Sequence, residues 1–267
     1  MEFISITNDP KVAAYFEYSG INDIMIDLEI IGKKERQKGL KTVISSHSME
    51  DISSVKQSLI TAKCLVRINP IYEGSIDEIN DAINRGADIL MLPMFKTADE
   101  VKFFIETVDN RAKKYLLLET TQALVRVDDI LEVEGIDAIH IGLNDLSISM
   151  GLDFLYELVI GEVVEYLANK IRDKNIKFGF GGVSRLERGK LLLSEHYRLG
   201  SEMVILNRDF RYYKDSYDEI LETVDIKKEV SKILSYLESL TKCDKCELEY
   251  NKQLLKKEIK SQIKHSS

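Results

Sequence analysis

The chain has 267 residues, 44% of them hydrophobic, with 37 basic and 45 acidic side chains for a net charge of −8, three Cys and no Trp. It is long and apolar enough for one large α/β domain with a sizeable core, which excludes a disordered chain, and three Cys are too few for a disulfide scaffold. No apolar run approaches the roughly 20 residues of a spanning helix, the N-terminus MEFISITNDP has no signal-peptide pattern, and the acidic balance argues against nucleic acid, so a cytoplasmic protein with no membrane or nucleic-acid partner is expected.

Short aliphatic or β-branched runs recur along the chain: FISIT (3–7), DIMIDL (23–28), KTVISS (41–46), CLVRI (64–68), DILML (88–92), YLLLE (115–119), AIHIG (138–142), KFGFG (177–181) and MVILN (203–207). Most lack a polar face, as parallel strands covered on both sides do. Helix signals fall between them. Ser75 with Glu78 and Thr97 with Glu100 have capping-box spacing, Ser48 with Asp51 is a weaker copy, and Gly86 stands where the helix that Ser75 begins should stop.

Strand and helix alternating in this way imply right-handed βαβ units. The runs number one more than an eight-stranded (β/α)8 TIM barrel needs, so either FISIT or KTVISS is peripheral. An open doubly wound sheet is the rival. It is disfavoured because no early strand leads into G-x-G-x-x-G or a Walker loop.

The fold class is therefore read as α/β, a (β/α)8 TIM barrel over residues 1–225 with a C-terminal helical extension over 226–267. That extension holds 10 Lys and 6 acidic residues, leaving −12 on the rest. Val230, Ile233, Leu234, Leu237 and Leu240, then Leu254, Leu255, Ile259 and Ile263, fall at helical spacing, so one or two amphipathic helices should pack on the barrel or on a neighbouring subunit. Cys243 and Cys246 form a lone C-x-x-C without a second pair, which is weak support for zinc or redox use.

In such a barrel the chemistry gathers where strands end. Polar residues end several runs: Asp27 and Glu29, Arg67 and Asn69, Glu119, Asn144 and Asp145, Asn207 and Arg208. Glu119 and Asp145 are one βα unit apart and should converge on one rim. Two carboxyls there repel unless a cation sits between them. Oxygen ligands favour Mg2+ or Mn2+, and Arg67 offers a planar fork for a carboxylate. A metal beside a carboxylate clamp suits a 2-oxo acid, whose enolate the metal would stabilise. No Lys ends YLLLE, and Lys96 reads as a loop charge, which disfavours a Schiff base.

The run LVRINP, then GADILMLPMFKTADEV, LLLETTQAL and GIDAIHIGLNDLS resembles, in order and spacing, the metal-dependent aldolase and citrate lyase superfamily over residues 20–210. The resemblance implies carbon–carbon bond cleavage or formation through a pyruvate-type enolate, acting on a small-molecule 2-oxo acid and an aldehyde. It also implies a homo-oligomer, trimer or hexamer. It assigns Glu119 and Asp145 to the metal, Arg67 to the substrate carboxylate, and the backbone around Gly142 and Asn144 to the same carboxylate. Asn69, in R-x-N-P, joins the substrate-binding set.

One departure stands out. The aldolase branch has a His in a D-G-E-H type run after the second strand, and this chain has Asp27, Leu28, Glu29 and Ile30 there. Asp27 and Glu29 are read as orienting groups at the catalytic site, and His47 and His140 are the candidates for the missing base. His140 shares strand parity with Gly142 and should face the barrel interior. A citrate lyase-like lyase of acyl-CoA or acyl-carrier thioesters, and a non-catalytic barrel that keeps the metal site as a binding subunit, stay open beside the aldolase.

Overall fold

The computed structural model describes residues 1–32 and 46–266. Among the described residues eight strands close into a parallel barrel in chain order: β1 (Glu2–Ile6), β2 (Asp23–Asp27), β3 (Lys63–Arg67), β4 (Ile89–Leu92), β5 (Lys113–Leu118), β6 (Ala138–Ile141), β7 (Lys177–Val183) and β8 (Met203–Leu206). β1 pairs with β2 on one edge and β8 on the other, which shuts the sheet. FISIT is thus a barrel strand, while KTVISS lies, but for Ser46, outside the described residues. The (β/α)8 barrel expected from the sequence is the fold.

The described helices are α1 (Pro10–Tyr18), α2 (Met49–Ser58), α3 (Ser75–Asn84), α4 (Ala98–Val108), α5 (Thr121–Val125), α6 (Val127–Leu131), α7 (Leu143–Ser149), α8 (Glu157–Ile160), α9 (Val163–Asp173), α10 (Leu186–Leu199), α11 (Tyr217–Thr223), α12 (Ile226–Leu240) and α13 (Lys245–Ser266). Strand residues split between two cores. Ile4, Met25, Leu65, Met91 and Leu117 fill the barrel lumen, and their neighbours Phe3, Ile24, Ile26, Val66, Leu116 and Leu118 pack outward under the helices. Every residue of β2 is buried, Asp23 and Asp27 at its two ends included.

Local chemistry sets the helix starts. The Asp9 side chain accepts from the Lys11 amide (2.8 Å), with Pro10 in the first helical position. Thr97 and Glu100 cap α4 reciprocally at 3.2 and 3.1 Å, and the Asp51 carboxylate accepts from the Ser48 amide at 2.7 Å.

The Ser75–Glu78 capping box does not form. The helix begins at Ser75 itself behind Gly74, the Ser75 hydroxyl accepts instead from the Tyr72 amide (2.9 Å), and the Glu78 carboxylate turns to Asn69, whose amide and Nδ2 donate at 3.1 and 2.8 Å. A buried carboxylate takes two donors where it finds them, and here they lie on β3's exit loop.

The tail begins its helices at Ile226, where Asp225 caps α12 by accepting from the Lys228 amide (3.0 Å). Val230 and Ile233 of α12 and Leu255 and Ile259 of α13 are buried in the barrel's outer core, whereas Leu234 remains 47% exposed. Lys252 of α13 pairs with Glu165 of α9 (2.8 Å), which also pairs with Arg198 of α10. The extension packs on the barrel of its own chain. No described helix is long and apolar enough to cross a membrane.

Candidate active site

At the C-terminal mouth of the barrel a cavity of about 240 Å³ gathers groups from five strands, Arg67 from β3, Leu117 and Glu119 from β5, His140 and Gly142 from β6, Gly181 and Gly182 from β7, and Ile205 and Asn207 from β8. Leu143, Asn144 and Asp145 of α7 and Leu155 and Tyr156 of the loop before α8 complete it. Wider hollows lie on the outer helices, such as one bordered by Lys256 and Lys260, but strand-end acids do not reach them.

Glu119 follows β5 directly and is only 3% exposed. Its Oε1 accepts from the Met94 amide (3.3 Å), and Oε2 lies where a Cβ at residue 142 would come within 2.7 Å. Glycine at 142 is what leaves the carboxylate its seat. β6 pairs with β5, and the first turn of α7 after it presents Asp145 to the same cavity. Asp145 therefore sits one step into a helix rather than on the strand end itself.

These two carboxylates supply an all-oxygen donor set, and no group of three or more His, Cys, Asp and Glu that could hold a metal gathers among the described residues. A pair of carboxylates with Gly142 cleared beside them fits a hard divalent ion that takes its other ligands from water or substrate, and it does not fit a closed zinc site.

Arg67 stands beside them with its donors partly spent. Nε and one Nη2 proton bind Asp27 in a bidentate pair (both 2.8 Å), and Nη1 lies 3.5 Å from Glu29. Burial disfavours its charge, but Asp27, then Glu29 and Glu119, outweigh burial and raise the guanidinium's pKa above its ordinary value. A guanidinium has five N–H donors, so the edge away from Asp27 keeps protons to offer. Asp27 and Glu29 both contact Arg67, and neither lines the cavity.

His140 faces inward as its parity requires. Its Nε2–H donates to the Gly181 carbonyl (2.9 Å), and its buried Nδ1 has no hydrogen-bond partner among the described residues. Desolvation first, opposed by the bond to Gly181 and joined by the charge of Arg67, lowers its pKa to about 4. His47 comes back to the end of β2, where its Nδ1 accepts from the Asp27 amide (3.0 Å). His47 does not line the cavity.

Two substrate-binding expectations change in detail. Asn69 does not line the cavity: its side-chain oxygen accepts from the Ile30 and Ile31 amides (2.9 and 3.0 Å), bracing the loop after β2. The Gly142 amide donates to the Leu118 carbonyl (2.9 Å) within the sheet, while Asn144, in the first turn of α7, lines the cavity. Tyr156 is a lining residue with no signal in the sequence, because it ends no strand and holds no motif position.

The profile of the family described as HpcH/HpaI aldolase/citrate lyase matches residues 2–157. A 2-keto-3-deoxy-L-rhamnonate aldolase of Shigella dysenteriae serotype 1 (strain Sd197) is 27% identical over a match covering 58% of this chain and 67% of the relative. Among solved structures, an HpcH/HpaI aldolase/citrate lyase family protein from Burkholderia cenocepacia J2315 superposes with a TM-score of 0.61 at 12% identity, covering 89% of this chain and 94% of the other. An HpcH/HpaI aldolase from Desulfitobacterium hafniense DCB-2 superposes with a TM-score of 0.60 at 13% identity, covering 91% and 94%. At these identities the structural likeness speaks for the fold.

Proposed function

The chain belongs to the HpcH/HpaI aldolase/citrate lyase family, and from that premise we propose that it is a metal-dependent carbon–carbon lyase of the aldolase type, making or breaking the bond next to a 2-oxo acid with pyruvate and an aldehyde as the two fragments. The observation that carries this reading is the meeting of Glu119 and Asp145, from adjacent βα units, with Arg67 in one cavity.

Glu119 and Asp145 would hold a divalent ion, Mg2+ or Mn2+. When bound it supplies Lewis acidity to the keto oxygen of the 2-oxo acid, where enolate charge collects. The chain's own residues do the rest. Arg67, locked by Asp27 and Glu29, turns its remaining edge to the substrate carboxylate, and the Asn144 amide gives a second donor. His140, with its proton held on Nε2 by Gly181, takes the methyl proton at Nδ1. Leu117 and Ile205 keep water from the enolate.

A cavity of about 240 Å³ at the barrel mouth has room for small fragments such as pyruvate and an aldehyde. The reading also takes the protein as a cytoplasmic homo-oligomer, a trimer or hexamer, as the resemblance implies.

The test is pyruvate release from 2-keto-3-deoxy-L-rhamnonate or another 4-hydroxy-2-oxo acid. Release should require Mg2+ or Mn2+, stop in chelator, and fall by roughly 100- to 1000-fold in Glu119→Gln and Asp145→Asn. Undiminished release in chelator by both variants would falsify it.

A further inference from the structure

Six of the described residues other than glycine have φ in the left-handed region, where a Cβ is crowded: Met94 (56°), Asp109, Glu162, Asn175, Tyr212 and Tyr213. Five of them follow the ends of helices, and their amides donate to carbonyls three to five residues back, Asp109 to Ile105 and Tyr213 to Arg208 among them. Met94 differs. It stands on the exit of β4, and its amide crosses to Oε1 of Glu119 (3.3 Å), at the exit of the next strand.

The two residues after it are held from the same side. The Thr120 hydroxyl donates to the Phe95 carbonyl (2.8 Å), and Arg126 Nη1 donates to the Lys96 carbonyl (2.9 Å). Met94, Phe95 and Lys96 are thus each tied to the segment 119–126 that leaves β5, and Phe95 and Thr120 are both buried. A strained backbone persists only where its surroundings over-determine it, and these ties do so. What the strain provides is an oriented carboxylate. With Oε1 on the Met94 amide, Oε2 lies beside Gly142, the residue from which α7 carries Asp145 into the cavity.

Resting on the metal-dependent reading above, we propose that Met94 is a positioning residue for the metal site: its left-handed backbone, not its side chain, aims the amide that sets the Glu119 carboxylate. Hydrogen bonds to a ligating carboxylate carry metal affinity in this way. A residue that tolerates the left-handed region serves at 94 whatever its size, and a β-branched one of similar bulk does not.

The experiment measures the dissociation constant for Mn2+ alone, from the EPR signal of the free ion, in the native protein and in variants. Met94→Gly and Met94→Asn should bind within about threefold of the native protein, and Met94→Ile should bind more weakly than that, by about ten- to a hundredfold. Side-chain packing alone would give the reverse order, since Ile keeps the bulk that Gly lacks. That reverse order, or a loss under about threefold in Met94→Ile, overturns the proposal. A second arm leaves residue 94 intact: Thr120→Val, which frees the Phe95 carbonyl, should also weaken Mn2+ by about tenfold, and Thr120→Ser should restore it. Mn2+ binding that Thr120→Val does not alter overturns the proposal as well. Glu119→Gln separates this inference from the reading beneath it. If the native protein binds Mn2+ and Glu119→Gln does not, while the variants at 94 and 120 bind as the native protein does, the positioning role falls alone. If the native protein binds no Mn2+, or Glu119→Gln binds it equally, the metal site and the positioning role fall together.

Discussion

Burial decides what His140 can do. The ring is almost wholly enclosed, and desolvation, only partly opposed by the bond to Gly181, brings its pKa to about 4. The ordinary value is about 6.5, so the imidazole stays neutral, with an accepting Nδ1, until the pH falls toward 4. If it takes the methyl proton, exchange into pyruvate should stay level from about pH 5 to 7.5, and His140→Gln should lower it by roughly 100-fold. A limb centred near pH 6.5 that vanishes in His140→Gln would contradict this assignment. At this scale the sequence was an uneven guide. Glu119, Asp145 and Arg67 were legible because each stands at or just past the end of an apolar run. The partners of Asn69 and Asp27 were not, because spacing along the chain does not say that Asn69 meets Glu78 or that Asp27 occupies one edge of Arg67.

Each strand has a rim end for chemistry and a floor end for stability, and β2 shows both. Asp27 at its rim is tied to Arg67, while Asp23 at its floor is buried with Oδ2 unpartnered among the described residues. Desolvation and then the Glu2 charge, against Lys177 and Lys113, push the Asp23 pKa up to about 7. The folded value thus lies above the unfolded one of about 3.9. Folding favours the protonated form, and this contribution is present below pH 4 and lost as the pH rises toward 7. Asp23→Asn should therefore unfold at nearly the native temperature at pH 4 and roughly 2–6 °C higher at pH 8, by thermal unfolding monitored with circular dichroism. An equal change at both pH values would show that Asp23 does not titrate across folding. Helix ends were legible where a cap side chain had no competitor, as at Thr97, and misleading at Ser75, where Tyr72 and Asn69 offered nearer partners.

Across the whole molecule, the alternation of apolar runs with helix signals was enough to point to the barrel, although the runs numbered one too many, because most strand residues are buried and the strands show as apolar runs. The docking of the tail was legible only as an apolar stripe. That Leu255 and Ile259 close against the barrel's outer core follows from three-dimensional packing, as does the arrival of Tyr156 at the mouth from a loop between helices. The same packing places the two acids and the guanidinium in one cavity, and the function rests on that convergence. The most direct measurement is proton NMR of pyruvate in D2O with the native protein, Mg2+ and no aldehyde, repeated in chelator and with Glu119→Gln and Asp145→Asn. The predicted result is loss of the methyl signal by exchange in the native sample alone. A methyl signal that stays constant with the native protein, or exchanges equally in chelator and in both variants, would contradict the shared metal site.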